Sequence, residues 1–345
     1  MTRFDGSATA QDDALRSRLI SRAPVAQPSE TVDRLIYASE ATFYRSPFVE
    51  MDRIRHAALR HNPPLGVCTA LLYQAGWFVQ WKEGTRDAIL ELMKRVSKDS
   101  RHRNLCSVHS SHGPRLLCGP WSMVVVQSNE EAGQMAERVR CVREDMKLAR
   151  HHSPTAAWAH LALPAKHLGA AQQSRRSKLH QVLVCSASGT HSFELVQWLA
   201  QQHSREVSHR RLSGEYDLDV AADIVDFVEG DRPMRVVALA RRGLRVPLAR
   251  ALLSDYSHVL LLLSGDEERD VSLALKVTSA CRHLARPPRL VGMAPFTAWH
   301  APLMAVVRRD GLEYLACQPQ FHEPKALWRA ALNAGLTLPT TRAMG

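Results

Sequence analysis

From Val32 to Ser39 the chain alternates and is apolar enough for a buried strand. Phe48–His61 (FVEMDRIRHAALRH) then sets Phe48, Met51, Ile54, Ala58 and Leu59 at helical spacing, and Pro63 and Pro64 stop that helix. Two strands follow, 66–73 and 77–81, with Gln74-Ala75-Gly76 as the turn between them. Residues 85–96 predict a second helix, because Ile89, Leu92, Met93 and Val96 form one stripe. Strands at 104–109 and 123–127 complete an order β-α-β-β-α-β-β. That order predicts a ferredoxin-like α+β sheet with two helices on one face.

A helix is expected over 129–149, with Asn129 as N-cap and Glu130 and Glu131 at the positive end of the dipole. Val139, Val142, Met146 and the apolar partners of Met135 are its expected contacts with the sheet or with a second copy of it. Residues 151–178 combine His, Pro, Ala and Gln with the basic cluster Arg175-Arg176-Lys178 and read as an interdomain linker with at most one short helix. From His180 the pattern becomes apolar strands at 182–185, 235–240, 259–263 and 289–293, with a last one at 312–317. Helices at 193–202, 246–255 and 271–284 separate them. Such alternation predicts a parallel α/β sandwich covered on both faces. The expected organisation is a mobile arm over 1–30, a sensor-sized domain over 31–128, a connecting helix over 129–150, a linker over 151–179, an α/β domain over 180–318 and a tail over 319–345.

Composition narrows the classes. The chain has 345 residues, 45% hydrophobic and 23% charged, ordinary for a globular protein and incompatible with a collagen or a wholly disordered chain. Its net charge is +11, yet only eight of the 45 basic residues are lysine. Arginine forms carboxylate pairs as readily as it binds phosphates, and no helix-turn-helix or basic–aromatic stripe appears, so a nucleic-acid partner is not expected. The longest apolar runs fall far short of a membrane span, and the first thirty residues carry mixed charge with no apolar core, which is no secretory signal. The seven cysteines are scattered and form no CxxC, which fits reduced thiols in a cytoplasm and gives no zinc site. No metal site is expected.

Several short motifs fall in one order. They are Tyr37-Ala38-Ser39; Arg60-His61-Asn62; Leu71-Leu72-Tyr73; Gly76-Trp77-Phe78-Val79-Gln80-Trp81-Lys82-Glu83-Gly84; Asp99-Ser100-Arg101-His102; and Trp121-Ser122-Met123. Together, on the strand–helix pattern above, they resemble the BLUF family of small FAD-binding blue-light sensors. The resemblance covers roughly a quarter of the chain. It implies a flavin between the two helices of the sheet, with Ser39, His61, Asn62, Gln80, Arg101 and His102 as cofactor-binding residues. Asn62 would pair with a flavin carbonyl and ring N–H through its amide, and Arg101 and His102 would neighbour the ribityl and phosphate tail. Tyr37, Gln80, Trp121 and Met123 are the implied photoactive set. In that scheme light moves an electron and a proton from Tyr37 to the flavin, Gln80 rearranges, and Trp121 and Met123 report the change. The sequence departs from the family pattern at Thr69, where a glycine is usual, at Lys82, where an apolar residue is usual, at Leu59 in place of a serine, and at the double proline after Asn62.

The second half offers weaker signals. Residues 184–192 (VCSASGTHS) stand where a strand–loop–helix phosphate site would stand, but Val184 replaces the first glycine of a P-loop and the lysine is missing. The strand–helix order is only loosely GTPase-like or Rossmann-like. The helix start at Thr190 could attract an anion. Asp219, Asp223 and Asp226 fall at i, i+4, i+7 and, with Asp217, read as an acidic, solvated helix face. Ser186, Ser188, His191 and Asp219 would suit a hydrolase, but no G-x-S-x-G elbow occurs. His258 reads as a strand-end histidine. The expectation is a cytoplasmic, non-enzymatic light-responsive regulator whose output domain binds a protein partner of unknown identity, with homo-oligomerisation left open. Two alternatives stand beside it. One is a flavin-free interaction module, favoured by Thr69 and Lys82. The other is a nucleotide-binding protein or hydrolase built on 180–318.

Overall fold

The computed structural model describes residues 30–42, 46–126, 130–148, 152–162, 179–215, 219–282, 284–320 and 323–336. The arm expected over 1–30, Asn129 and most of the linker lie almost wholly outside them.

The first half follows the expected order: β1 (Thr31–Ala41), α1 (Pro47–His61), β2 (Cys68–Gln74), β3 (Trp77–Gly84), α2 (Arg86–Val96), β4 (His102–Pro114) and β5 (Trp121–Val125). Each local feature has a sequence cause. Ala75 and Gly76 both take positive φ, so β2 and β3 are joined by the tight reversal that suits a twisted hairpin. Thr85 caps α2 by accepting from the Ala88 N–H. β4 is longer than its apolar segment predicts, because its exposed polar residues pair with the whole of β1. Register shifts between Ile36 and Tyr37 and between Ala38 and Glu40 bend β1 there.

Helix α3 (Ala132–Lys147) begins two residues later than the sequence suggests, with Glu131 and Gln134 forming a capping box. Met135, Val139 and Val142 are buried as expected, whereas Met146 is 40% exposed. The stretch read as linker contains α4 (Pro154–Ala162), whose Trp158 is 1% exposed and packs against Trp81 with ring centroids 6.2 Å apart. Its small, weakly charged residues form a core helix rather than a spacer. Thus α1 and α2 cover one face of the first sheet, and α3 and α4 cover the other.

The second half comprises β6 (His180–Ser186), α5 (His191–Gln202), β7 (Ser208–Ser213), β8 (Val220–Glu229), β9 (Arg232–Leu239), α6 (Pro247–Ala251), β10 (His258–Leu262), α7 (Glu267–Cys281), β11 (Arg289–Met293), α8 (His300–Arg309), β12 (Tyr314–Cys317) and α9 (Pro324–Ala331). Strands β9, β6, β10, β11 and β12 are parallel, as predicted. Strands β7 and β8 are antiparallel additions that the sequence reading missed. The expected acidic helix face is strand β8. Residues three apart on a strand point to opposite sides, so Asp223 meets His209 at 2.8 Å while Asp226 forms a buried two-bond pair with Arg235 at 2.7 Å. Asp217 lies outside the described residues. Within the expected tail, α9 buries Leu327 and Trp328 in the same apolar cluster as α5.

The two halves share one sheet. Its order is β12-β11-β10-β6-β9-β8-β7-β5-β2-β3-β1-β4. The junction is the antiparallel pair β5–β7, with Met123 opposite Ser213, Val124 opposite Leu212 and Val125 opposite Arg211. The Leu248 N–H donates to Ser122 Oγ at 3.0 Å, and a Cβ on Gly119 would lie 2.6 Å from Pro247 Cγ. One apolar layer runs under the whole sheet and includes Trp81, Val124, Trp158, Leu212, Leu239 and Val259.

Candidate functional site

Side chains alternate along a strand, so register decides which ones face α1 and α2. Two adjacent cross-strand rows do so. One runs Met123 (β5), Leu71 (β2), Gln80 (β3), Tyr37 (β1). The next runs Trp121, Thr69, Lys82, Leu35. The photoactive residues expected from the sequence are therefore on one face, with Met123 in the Gln80 row and Trp121 one row away.

Tyr37 is 1% exposed, and its hydroxyl donates to Gln80 Oε1. Burial, with the Asp99 charge adding to it, pushes the Tyr37 phenol well above its ordinary range. The site is walled by Met51 and Ile54 of α1 and by Leu71, Phe78, Trp121 and Val125 of the sheet. Asn62, directly after α1, is 3% exposed and donates through Nδ2 to Thr69 Oγ1 at 2.9 Å. His61 beside it is exposed, because the last turn of α1 directs adjacent residues to different sides.

The remaining expected residues gather at the start of β4. Ser39 Oγ and His102 Nδ1 are 2.8 Å apart, and the His102 ring lies 4.9 Å from that of Phe78. Burial holds His102 below its ordinary pKa. Arg101 is clamped by Asp99, its Nε 2.9 Å from Oδ1, and lies 3.9 Å from Glu50. That Asp99 bond raises the Arg101 pKa. On Asp99 burial acts upward, but the bonds from Arg101 outweigh it and leave the carboxyl below its usual range.

The donor set fits a flavin. The buried Trp121 indole nitrogen has no acceptor among the described residues, and the Lys82 ammonium, 4% exposed, has no carboxylate partner among them. An acceptor-rich heteroaromatic ring satisfies groups of that kind. Lys82 lies one row from the Tyr37–Gln80 pair. In the sequence Lys82 departs from the family pattern and favours a flavin-free module; a charged residue within a run of buried strand positions is the signal that marks it as part of the site.

The candidates in the second half look different. The Thr190 and His191 side chains both reach Glu194, at 2.6 and 3.1 Å, so a carboxylate stands at the first turn of α5. Ser186 Oγ bonds the Ser188 carbonyl, and Asp219 lies beside Arg211 at 3.8 Å. These side chains do not converge as a nucleophile–base set. His258 is buried at the start of β10, and among the described residues no three His, Cys, Asp or Glu side chains group as metal ligands. No described helix is long and apolar enough to cross a membrane.

Residues 32–124 match the family model described as BLUF, sensors of blue-light using FAD. The photoactivated adenylate cyclase subunit beta of Euglena longa is 36% identical over 105 residues, 29% of this chain and 12% of that protein. Its counterpart in Euglena gracilis is 35% identical over 105 residues, with the same shares. The chain thus spans about an eighth of the length of these relatives. Among solved structures, the dark state of BlrB, a BLUF protein, aligns with 39% of this chain and 94% of its own at 25% identity and a TM-score of 0.27. The motifs, the strand order and the family match point the same way: residues 32–124 of this chain are similar to BLUF domains.

Proposed function

We propose that this chain is a blue-light photoreceptor that binds FAD between α1 and α2 and passes the response of the Tyr37–Gln80 pair to a non-catalytic second half. The observation that carries this reading is the bond from the buried Tyr37 hydroxyl to Gln80 Oε1 on the helix-covered face. Bound flavin would supply the blue-light chromophore and the acceptor for an electron and a proton.

The chain's own residues have defined parts in this scheme. Burial keeps the Tyr37 phenol protonated, so its O–H is available to be given up. With Oε1 engaged by that hydroxyl, the Gln80 amide is left with its N–H groups to donate. Loss of the Tyr37 proton removes the partner of Oε1, and the amide then gains by re-pairing. Asn62, steadied by Thr69, keeps a second N–H and its carbonyl oxygen for a ring edge. Ser39 and His102 form a neutral polar pair beside it, and Arg101, fixed by Asp99, adds positive charge suited to a phosphate tail.

Support for a non-catalytic second half comes from Glu194. Its carboxylate occupies the start of α5, where a nucleotide phosphate would need to approach. The test of the whole reading is direct. Full-length protein should release FAD on denaturation and show a reversible red shift of its flavin absorbance under blue light. Protein that carries no flavin, and takes none up when supplied with FAD, sinks the proposal.

A further inference from the structure

Lys82 is 4% exposed, and its side chain shares the face of Gln80, two residues earlier on β3. Its Nζ lies 5.9 Å from the centre of the Tyr37 ring. No carboxylate and no hydrogen-bond acceptor meets it among the described residues. The nearby acids are engaged elsewhere: Asp99 with Arg101, Glu50 with Arg53 at 2.9 Å, and Glu83, on the opposite face of β3, with the N–H groups of Leu116 and Leu117. Around Lys82, β1 presents Tyr37 and Leu35, β2 presents Thr69, and β4 presents His102, whose charged form Lys82 opposes. The buried residues of α1 are Met51, Ile54 and Glu50, which pairs with Arg53, and those of α2 are Ala88, Ile89 and Leu92.

An ammonium buried without an anion is costly, and the local sequence supplies none. We propose that Lys82 is the resident cation of the flavin slot and holds the negative charge that bound flavin acquires on one-electron reduction. The inference rests on the flavin reading above. A low-potential donor such as dithionite adds one electron to the flavin and no proton, and the Lys82 ammonium stabilises the resulting anion. Burial brings the Lys82 pKa down to about 8, so the cation is present at neutral pH and lost in mild alkali. Tyr37 and His102 titrate outside that window, their pKa values moved up and down respectively by burial.

The test compares full-length, FAD-loaded wild type with Lys82→Met, which keeps the side chain's length and removes its charge. Each is titrated with dithionite against a reference dye at pH 7 and at pH 9.5. The inference expects the affinity for the first electron at pH 7 to fall at least tenfold in Lys82→Met, about 59 mV in midpoint potential, and the gap to shrink at pH 9.5. Equal midpoints at pH 7 overturn the role of Lys82 and leave the flavin reading standing. Flavin bound by Lys82→Met but refused by wild type also overturns it, because the cation then excludes the ring. Flavin refused by both overturns this inference and the flavin reading together. Should Lys82→Met alone fail to hold flavin, the wild type decides: its midpoint drops through an inflection near pH 8 if Lys82 is the cation and stays flat there if it is not.

Discussion

Thr69 accepts the side-chain N–H of Asn62 at 2.9 Å, so the residue that stands in place of a family glycine holds the buried asparagine in position. Its neighbours across the strands are Trp121, whose indole nitrogen lacks a partner among the described residues, and Lys82, whose ammonium lies 5.9 Å from the centre of the Tyr37 ring. The hydroxyl is therefore part of the slot's polar edge and does not crowd a neighbouring strand.

Asn62→Ala removes that donor and strands a buried hydroxyl and a ring edge. FAD binding should weaken by about 1–3 kcal/mol, roughly five- to 150-fold in Kd. Thr69→Ala, which only frees the asparagine, should cost less. Flavin-fluorescence titration of the three proteins gives the order. Equal affinities for wild type and Asn62→Ala would remove Asn62 from the site.

Tyr37→Phe deletes one hydroxyl and keeps the ring, so packing around β1 is nearly unchanged. The variant should fold, bind FAD and lose the reversible light-induced shift, because Gln80 Oε1 no longer has a hydroxyl to answer. Light-minus-dark absorbance spectra decide. A normal photocycle in Tyr37→Phe refutes the mechanism.

Chain order alone points from Met123 to the following helix, α3, as the exit for the signal. The sheet offers a shorter path, since Met123 lies opposite Ser213 on β7 and shares Leu71 as a cross-strand neighbour with Gln80. A ligand or light state biases a distant element only through contacts that differ between states. Hydrogen exchange should therefore change on illumination at 208–213 as well as at 121–125. Identical exchange at 208–213 in light and dark, in protein with an intact spectral shift, places the route elsewhere.

His258 gives a pH dependence of stability. Burial first, then the charge of Arg289, brings its pKa down to about 4, and its Nε2 has no partner among the described residues. The folded state thus binds this proton less readily than the unfolded chain does. Stability is fully present above the unfolded value near 6.5 and is lost as pH falls toward 4. Thermal melts between pH 7 and 4.5 should show this loss, and His258→Gln should flatten it. A variant whose melting temperature falls with pH as steeply as wild type assigns the loss to other groups.

Local patterning by itself determined the elements of the first half. Helical stripes, stop signals and the Ala75-Gly76 turn are short-range features, so α1, α2 and the strands between them were legible, as were the five parallel strands of the second half. The motif residues also announced their neighbours, because period-two alternation puts Tyr37, Ser39, Gln80 and Met123 on one face once the register is set. Tertiary structure decided what depends on distant partners. Residues 220–229 carry acids at helical spacing, yet they pair as a strand with β7 and β9, where Arg235 bonds Asp226 and His209 bonds Asp223. Residues 154–162 look like a spacer until Trp158 meets Trp81. The junction of the halves depends on a three-pair ladder between β5 and the polar strand β7, which has no apolar periodicity to reveal it. Backbone hydrogen bonds form it, and those are available to any sequence, so only the folded chain shows which edges meet.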